Sequence, residues 1–267
     1  MCLMVFNWQP HAPVRLIIAS NRDEYYARPT QALGLWPDQP IVAGRDLQAG
    51  GTWLGMSLNG RVAVLTNYRE PTQPRLDSPS RGQIASAFLA SHASAQHFLE
   101  DLLSTSQNYN PFNLLLFDGT ELVGFESRHR RIFSLPEGVS AVSNADFNQP
   151  WPKLSRLRTG FVQALSQHGV AAASAEKFLK GSALDEDLFA LLLERRTAVP
   201  ADLPQTGISF ERELALSAEF VHSADYGTRA STVVCVSGKS ARMTERSFNA
   251  EGFAGEVSMQ VDWNTFS

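Results

Sequence analysis

Cys2 is the residue whose type and position most clearly offer chemistry. Removal of Met1 would leave a cysteine carrying both a thiol and a free α-amine. Their reference pKa values, about 8.5 and about 7.7 to 8.0, suit a nucleophile and its base within one residue. The competing reading of Cys2 is a small apolar residue on an N-terminal strand. Asn21-Arg22-Asp23-Glu24 follows the apolar run Leu16 to Ala19 directly, so if the first two strands are neighbours these polar groups emerge at a strand end near the N-terminus. Along an extended segment Asn21 and Asp23 share one face, and Arg22 and Glu24 share the other. Asp23 can then orient the α-amine, while Arg22 and Glu24 pair with each other or with a ligand. A solvated, charged turn is the alternative for this tetrapeptide.

Other groups offer less. Gly50-Gly51 precedes a strand rather than a helix, which fits a turn and not a phosphate loop. Arg128-His129-Arg130-Arg131 reads as a solvated hairpin, and Cys235 within Val233 to Val236 reads as core. His11, His92, His97, His129, His168 and His222 are scattered without metal spacing, so none stands out as a haem ligand.

The elements that must position these residues are short strands and amphipathic helices. Strands are expected at Leu3 to Trp8, Leu16 to Ser20, Thr52 to Leu58 and Arg61 to Thr66, the last two joined by the hairpin signal Asn59-Gly60. Helices follow at Arg81 to Ser91 and Ala95 to Leu103, then strands at Asn113 to Phe117, Leu122 to Glu126, Arg131 to Ser134 and Val139 to Ser143. The clearest helix has Pro152 near its start, Leu154, Leu157, Phe161 and Leu165 on one face, and Gly169 just past its end. Short helices at Ala175 to Leu179 and Glu186 to Arg195 precede an irregular loop from Pro200 to Leu214, and strands return at Thr232 to Val236, Ala241 to Phe248 and Val257 to Trp263. This order predicts an α+β fold of mainly antiparallel sheets packed against helices, as one domain over 1–267.

Composition narrows the function classes. With 23 Lys+Arg against 27 Asp+Glu the formal net charge is −4, and 43% hydrophobic residues place the chain in the globular range. Without a long basic run, a dedicated nucleic-acid partner is excluded, because such binding rests on clustered Lys and Arg. No stretch reaches the roughly 18 to 20 apolar residues of a membrane span. The start lacks a basic segment and a long apolar core, so a secretory signal is not expected and the chain is assigned to the cytoplasm. Two cysteines outside any CxxC setting argue against a disulfide framework, zinc or covalent haem.

A set of ordered motifs runs from residue 1 to about residue 250. It comprises Met1-Cys2, Asn21 to Glu24, Gly50-Gly51-Thr52-Trp53-Leu54-Gly55, Leu65-Thr66-Asn67-Tyr68, Ser80-Arg81-Gly82, Pro111-Phe112-Asn113-Leu114-Leu115, Ser143-Asn144, Pro150-Trp151-Pro152-Lys153 and Tyr226-Gly227-Thr228-Arg229. Together they resemble the NRDE family, also called the transport and Golgi organisation protein 2 family. The resemblance implies an N-terminal-nucleophile (Ntn) hydrolase-like fold, a four-layer αββα sandwich. It also implies trafficking of haem, or handling of acyl-CoA and lipid. The implied fold is similar to that of bile salt hydrolases and penicillin V acylases, which cut amide bonds with an N-terminal cysteine.

Carried over from those hydrolases, the nucleophile matches Cys2, the amine-side aspartate Asp23, the oxyanion asparagine Asn67, a second active-site asparagine Asn144 and a late arginine Arg229. Those hydrolases have an active-site arginine three positions before the aspartate; here Ser20 stands there, and Arg22 adjoins the aspartate on the opposite strand face. In this reading Cys2 attacks a carbonyl, the Asn67 amide and a backbone N–H hold the oxyanion, and Arg229 favours thiolate or binds an anion. Hydrolysis would need no cofactor, only a small amide substrate. The reading that the resemblance favours, with hydrolysis as its alternative, is a carrier of a hydrophobic anion, with haem or acyl-CoA as cargo in a largely apolar cleft. Arg22 and Arg229 would form its positive rim, with Asn21, Glu24 and Tyr226 as further ligand contacts.

Overall fold

A computed structural model describes residues 2–71, 75–170 and 174–263. Met1, whose removal the nucleophile reading requires, lies outside them. Two antiparallel sheets face each other. One has the order β10-β1-β2-β11-β12-β13, built from β1 (Cys2–Trp8), β2 (Val14–Tyr25), β10 (Gly138–Val142), β11 (Tyr226–Ser237), β12 (Ser240–Asn249) and β13 (Gly252–Asp262). The other runs sequentially through β3 (Thr30–Leu35), β4 (Ile41–Asp46), β5 (Leu54–Ser57), β6 (Val62–Asn67), β7 (Phe112–Phe117), β8 (Leu122–Glu126) and β9 (Arg131–Ser134).

Alternation along the strands creates the layers. In β1, Cys2, Met4, Phe6 and Trp8 point between the sheets and join Leu54, Val64, Leu115 and Phe117, while Leu3 and Val5 point outward. The outer face of the first sheet is covered by α3 (Pro152–Gln167), α4 (Ala175–Leu179) and α5 (Ala183–Leu192), which bury Leu157, Phe161, Phe178 and Leu188 against it. α1 (Gly82–Ala90) and α2 (Ala95–Leu103) cover the second sheet through Phe88, Leu89 and Leu99. The expected α+β, four-layer αββα sandwich with mainly antiparallel sheets is the observed one.

Local expectations held where one signal dominated. Gly60 takes φ +82 in the Asn59-Gly60 turn, and Gly169 takes φ +62 after α3. Three features differ. β3 and β4 form where no strand was expected, because their mixed polarity follows a sheet that is only partly exposed. A helix, α6 (Phe210–Ala215), capped by the Ser209 side chain, interrupts the expected loop after Pro200. Most consequentially, β2 does not end at Ser20. β11 pairs with it as far as Tyr226 opposite Tyr25, so Asn21 to Asp23 are strand interior and buried rather than turn residues.

One close approach links the layers near the chain start. A Cβ on Gly51 would lie 2.2 Å from the Gly82 carbonyl carbon and 2.5 Å from the Gln83 nitrogen, so the loop before β5 touches the first turn of α1 backbone to backbone. Gly51→Ala should therefore push α1 away and destabilise the fold by about 1–3 kcal/mol, seen as a lowered thermal midpoint. An unchanged midpoint would show that the two segments do not depend on each other.

Candidate functional site

β1 and β2 pair with Cys2 opposite Arg22 and Leu3 opposite Asn21. Directly opposed residues share a face, so the Arg22 side chain lies on the face of the Cys2 thiol, between the sheets, and Asn21 and Asp23 face the helices. The cleft beside this pair has a volume of about 450 Å³, and Cys2, Arg22, Asp23, Glu24 and Asn67 all line it.

Each is held by the fold. Arg22 is buried, stacks 4.3 Å over Trp53, and donates to Thr30 Oγ1 at 3.3 Å and Asp46 Oδ2 at 3.4 Å. Asp23 Oδ1 accepts from Thr228 Oγ1 at 2.8 Å, and Glu24 lies 3.9 Å from both Arg22 and Arg28. Asn67 closes β6, where its carbonyl accepts from Asn144 Nδ2 at 2.8 Å. The residue before Asn144 completes the link, since Ser143 Oγ donates to the Cys2 carbonyl at 3.2 Å. Asn144 thus supports the site by binding backbone, and is not among the cleft-lining residues.

Three other expected site residues are placed elsewhere. Asn21 is fully buried on the helix side, donating to the carbonyls of Leu192 at 2.8 Å and Glu219 at 2.9 Å and accepting from Ser231 Oγ at 2.6 Å. Tyr226 Oη donates to the Asp23 carbonyl at 3.0 Å, fixing the strand rather than facing the cleft. Arg229 sits at a bulge in β11, where the register shifts between Thr228 and Ala230. Its guanidinium donates to the carbonyls of Tyr25, Tyr26, Arg28 and Phe248 at 2.9 to 3.1 Å. It clamps the turn after β2 instead of forming a rim to the cleft.

A cation that the sequence reading did not assign to the cleft is Arg81, at the start of α1, donating to the Pro111 carbonyl at 3.1 Å. Burial lowers its pKa, and the nearby Cys2 and Glu24 charges oppose that fall. Arg28 and Arg75 also line the cleft. Burial raises the Cys2 thiol above its ordinary range, with Arg22 pulling it back and Asp23 adding to the rise. Cys235, in the core as expected, is likewise pushed up, to about 12, by burial. Among the described residues the cleft walls are mostly polar, with Ala49, Trp53, Leu65, Leu76 and Pro79 as their apolar members, and no histidine lines them. Among the described residues no group of three or more His, Cys, Asp or Glu is arranged to hold a metal ion, and no helix is long and apolar enough to cross a membrane.

Arg81 and Lys153 lie in motifs that the sequence displays but carried no assigned role. Lys153 had a readable signal: it precedes Leu157 by four and Phe161 by eight, placing a lysine on the apolar stripe of α3. Arg81 had none, because only the Gly51–Gly82 approach brings it to Cys2.

A family model described as Transport and Golgi organisation 2 matches residues 1–250. Transport and Golgi organization protein 2 homolog of Bos taurus is 32% identical over 254 residues, covering 88% of each chain. The Mus musculus homolog is 32% identical over 271 residues, covering 92% of this chain and 93% of its own. Among solved structures, the Caenorhabditis elegans N-acylethanolamine-hydrolyzing acid amidase ortholog is 12% identical with a TM-score of 0.41, covering 87% of this chain and 92% of that one. A C2A mutant of conjugated bile acid hydrolase from Clostridium perfringens is 10% identical with a TM-score of 0.43, covering 100% and 94%.

Two variants test the reassigned cation. Arg81→Gln should slow iodoacetamide alkylation of Cys2 at neutral pH by about three- to tenfold, as the thiol pKa rises by about half to one unit. Arg229→Gln should leave that rate nearly unchanged while lowering the thermal midpoint, through four lost carbonyl contacts. The reverse pattern would restore Arg229 to the site.

Behind Arg22, Glu245 accepts from the Leu33 N–H at 2.8 Å, and burial raises its pKa from 4.5 to about 7. The folded carboxyl therefore keeps its proton to higher pH than the unfolded one, and the stability it contributes is lost as pH rises across that window. Melts of Glu245→Gln and parent protein from about pH 4.5 to about pH 7.5 should show the variant gaining relative to the parent as pH rises. A constant difference would mean that Glu245 ionises normally.

Proposed function

The chain belongs to the Transport and Golgi organisation 2 family, and from the geometry of its cleft we propose that it hydrolyses a small-molecule amide with Cys2 as nucleophile. The observation that carries this reading is the convergence of Cys2, Asp23 and Asn67 on one polar cleft. Asp23 directly follows Arg22, the register partner of Cys2, and from there can orient an α-amine freed by loss of Met1. The thiol proton passes to that amine as sulfur attacks the carbonyl carbon. The Asn67 side-chain amide stabilises the oxyanion, and the leaving amine takes the proton as the C–N bond breaks. Water then cleaves the thioester, returning the thiol and releasing the acid. The raised thiol pKa makes the amine base necessary, since a buried thiol does not ionise readily by itself.

Carriage of a hydrophobic anion is the second reading, favoured by the four arginines at the same cleft, Arg22, Arg28, Arg75 and Arg81. Haem propionates or acyl-CoA phosphates would meet these cations. The apolar body of either cargo would meet few apolar walls, and for that reason hydrolysis stands first.

Cys2→Ala should reduce turnover of any amide found by screening to background, and Asn67→Ala should lower kcat by about 10²–10³-fold, with near-ultraviolet circular dichroism unchanged in both. Full activity in Cys2→Ala would end the hydrolase reading. If the same protein instead gave a saturable Soret shift with haem, weakened by Arg81→Gln, the carrier reading would take its place.

A further inference from the structure

Lys153 is a charged group that the proposed mechanism leaves without a role. It lies in the first turn of α3, is 2% exposed, and its Nζ has no hydrogen-bond partner among the described residues. An ammonium in that setting is costly to bury, and a lysine whose only task was packing could be replaced by methionine at the same position on the stripe. α3 packs on β1 and β10, against the helix-facing side of the sheet that carries Asp23.

The charged groups that act on Lys153 come from several elements: Asp23 from β2, Cys2 from β1, Arg69 from the segment after β6, and Glu219 from the segment after α6. Two acids in the neighbourhood already have their own arginines. Glu219 pairs with Arg156 at 2.8 Å and Glu213 with Arg69 at 2.8 Å. Asp23 is the strongest attractive influence on the ammonium. A small cavity lined by Lys153, Arg69, Trp151, Glu213 and Ser217 has a volume of about 10 Å³, about the room of one water molecule.

We propose that Lys153 is a positioning residue of the Cys2 centre, whose ammonium lies under the first sheet, attracts the Asp23 carboxylate, and stabilises the Cys2 thiolate from the helix side. This rests on Cys2 being the nucleophile proposed above. Arg22 and Arg81 act on the thiolate from the cleft, and Lys153 supplies the third cation from the opposite side of the sheet. Burial lowers its pKa to about 8, against the pull of Asp23. Below that pH the ammonium is charged and supports the thiolate; above it the support is withdrawn.

The test reads the pH dependence of Cys2 alkylation in the full chain, with the adduct assigned by peptide mass and no substrate present. Lys153→Met should move the midpoint of the rate profile to higher pH, with about a tenfold loss of rate below the midpoint for each unit moved. Lys153→Arg should return the profile toward that of the parent. A Lys153→Met profile that superimposes on the parent, or a folded Lys153→Arg that behaves like the Met variant, overturns the proposal. If Lys153→Met does not fold, carbon-13 NMR of the lysine Cε in the parent and in Asp23→Asn decides: the Lys153 midpoint should fall when the carboxylate is removed, and an unmoved midpoint overturns the assignment. Because neither measurement uses an amide, failure to find turnover would reject the hydrolase reading without touching this result.

Discussion

Everything at the candidate site depends on a polar stitch between two sheets whose main contact is apolar packing. Hydrophobic contacts between Met4, Phe6, Val64 and Leu115 bring the sheets together, yet such contacts are non-directional and leave the relative position of the strand ends loosely specified. At the end that bears Cys2 the position is set by directional bonds. Ser143 holds the Cys2 carbonyl, Asn144 holds the Asn67 carbonyl, and Asn113 donates to the Ala145 carbonyl at 2.8 Å and to Thr66 Oγ1 at 3.2 Å. Segment 143–145 thereby ties the strand that carries Cys2 to the strand carrying the proposed oxyanion donor. Buried donors and acceptors of this kind are expensive to leave unsatisfied, which is what makes the stitch rigid.

A second constraint is electrostatic. β2 carries Arg22 and Asp23 into the protein interior, where unpaired charge would be prohibitive. Alternation sends the two charges to opposite faces, and each face supplies its own partners: Trp53, Thr30 and Asp46 for Arg22, Thr228 for Asp23. The outcome is a thiol between an arginine that opposes the rise imposed by burial and an aspartate that adds to it. Stability and the proposed reactivity draw on the same buried charges.

Backbone approach supplies the third element. Gly51 and Gly82 allow the loop before β5 and the start of α1 to touch, and this contact presents Arg81 to the cleft. Arg229 shows the converse. Its four carbonyl contacts close the turn that follows β2, so a residue with the right charge for the site serves its frame instead.

Local signals were sufficient for a good part of this. The apolar run in Leu3 to Trp8, the Asn59-Gly60 turn, and the stripe and glycine stop of α3 each arise from neighbours in sequence, and each was legible there, as was the layered α+β class. Cys2 and Asp23 were also legible, because position and strand periodicity name them. The extent of β2 was not, since whether Asn21 to Glu24 form a turn or a buried strand depends on β11, about 200 positions away. For the same reason sequence could not separate Arg22, Arg81 and Arg229, which carry identical guanidinium groups. Their roles follow from register, from a glycine contact and from a bulge, and these exist only after the strands have paired.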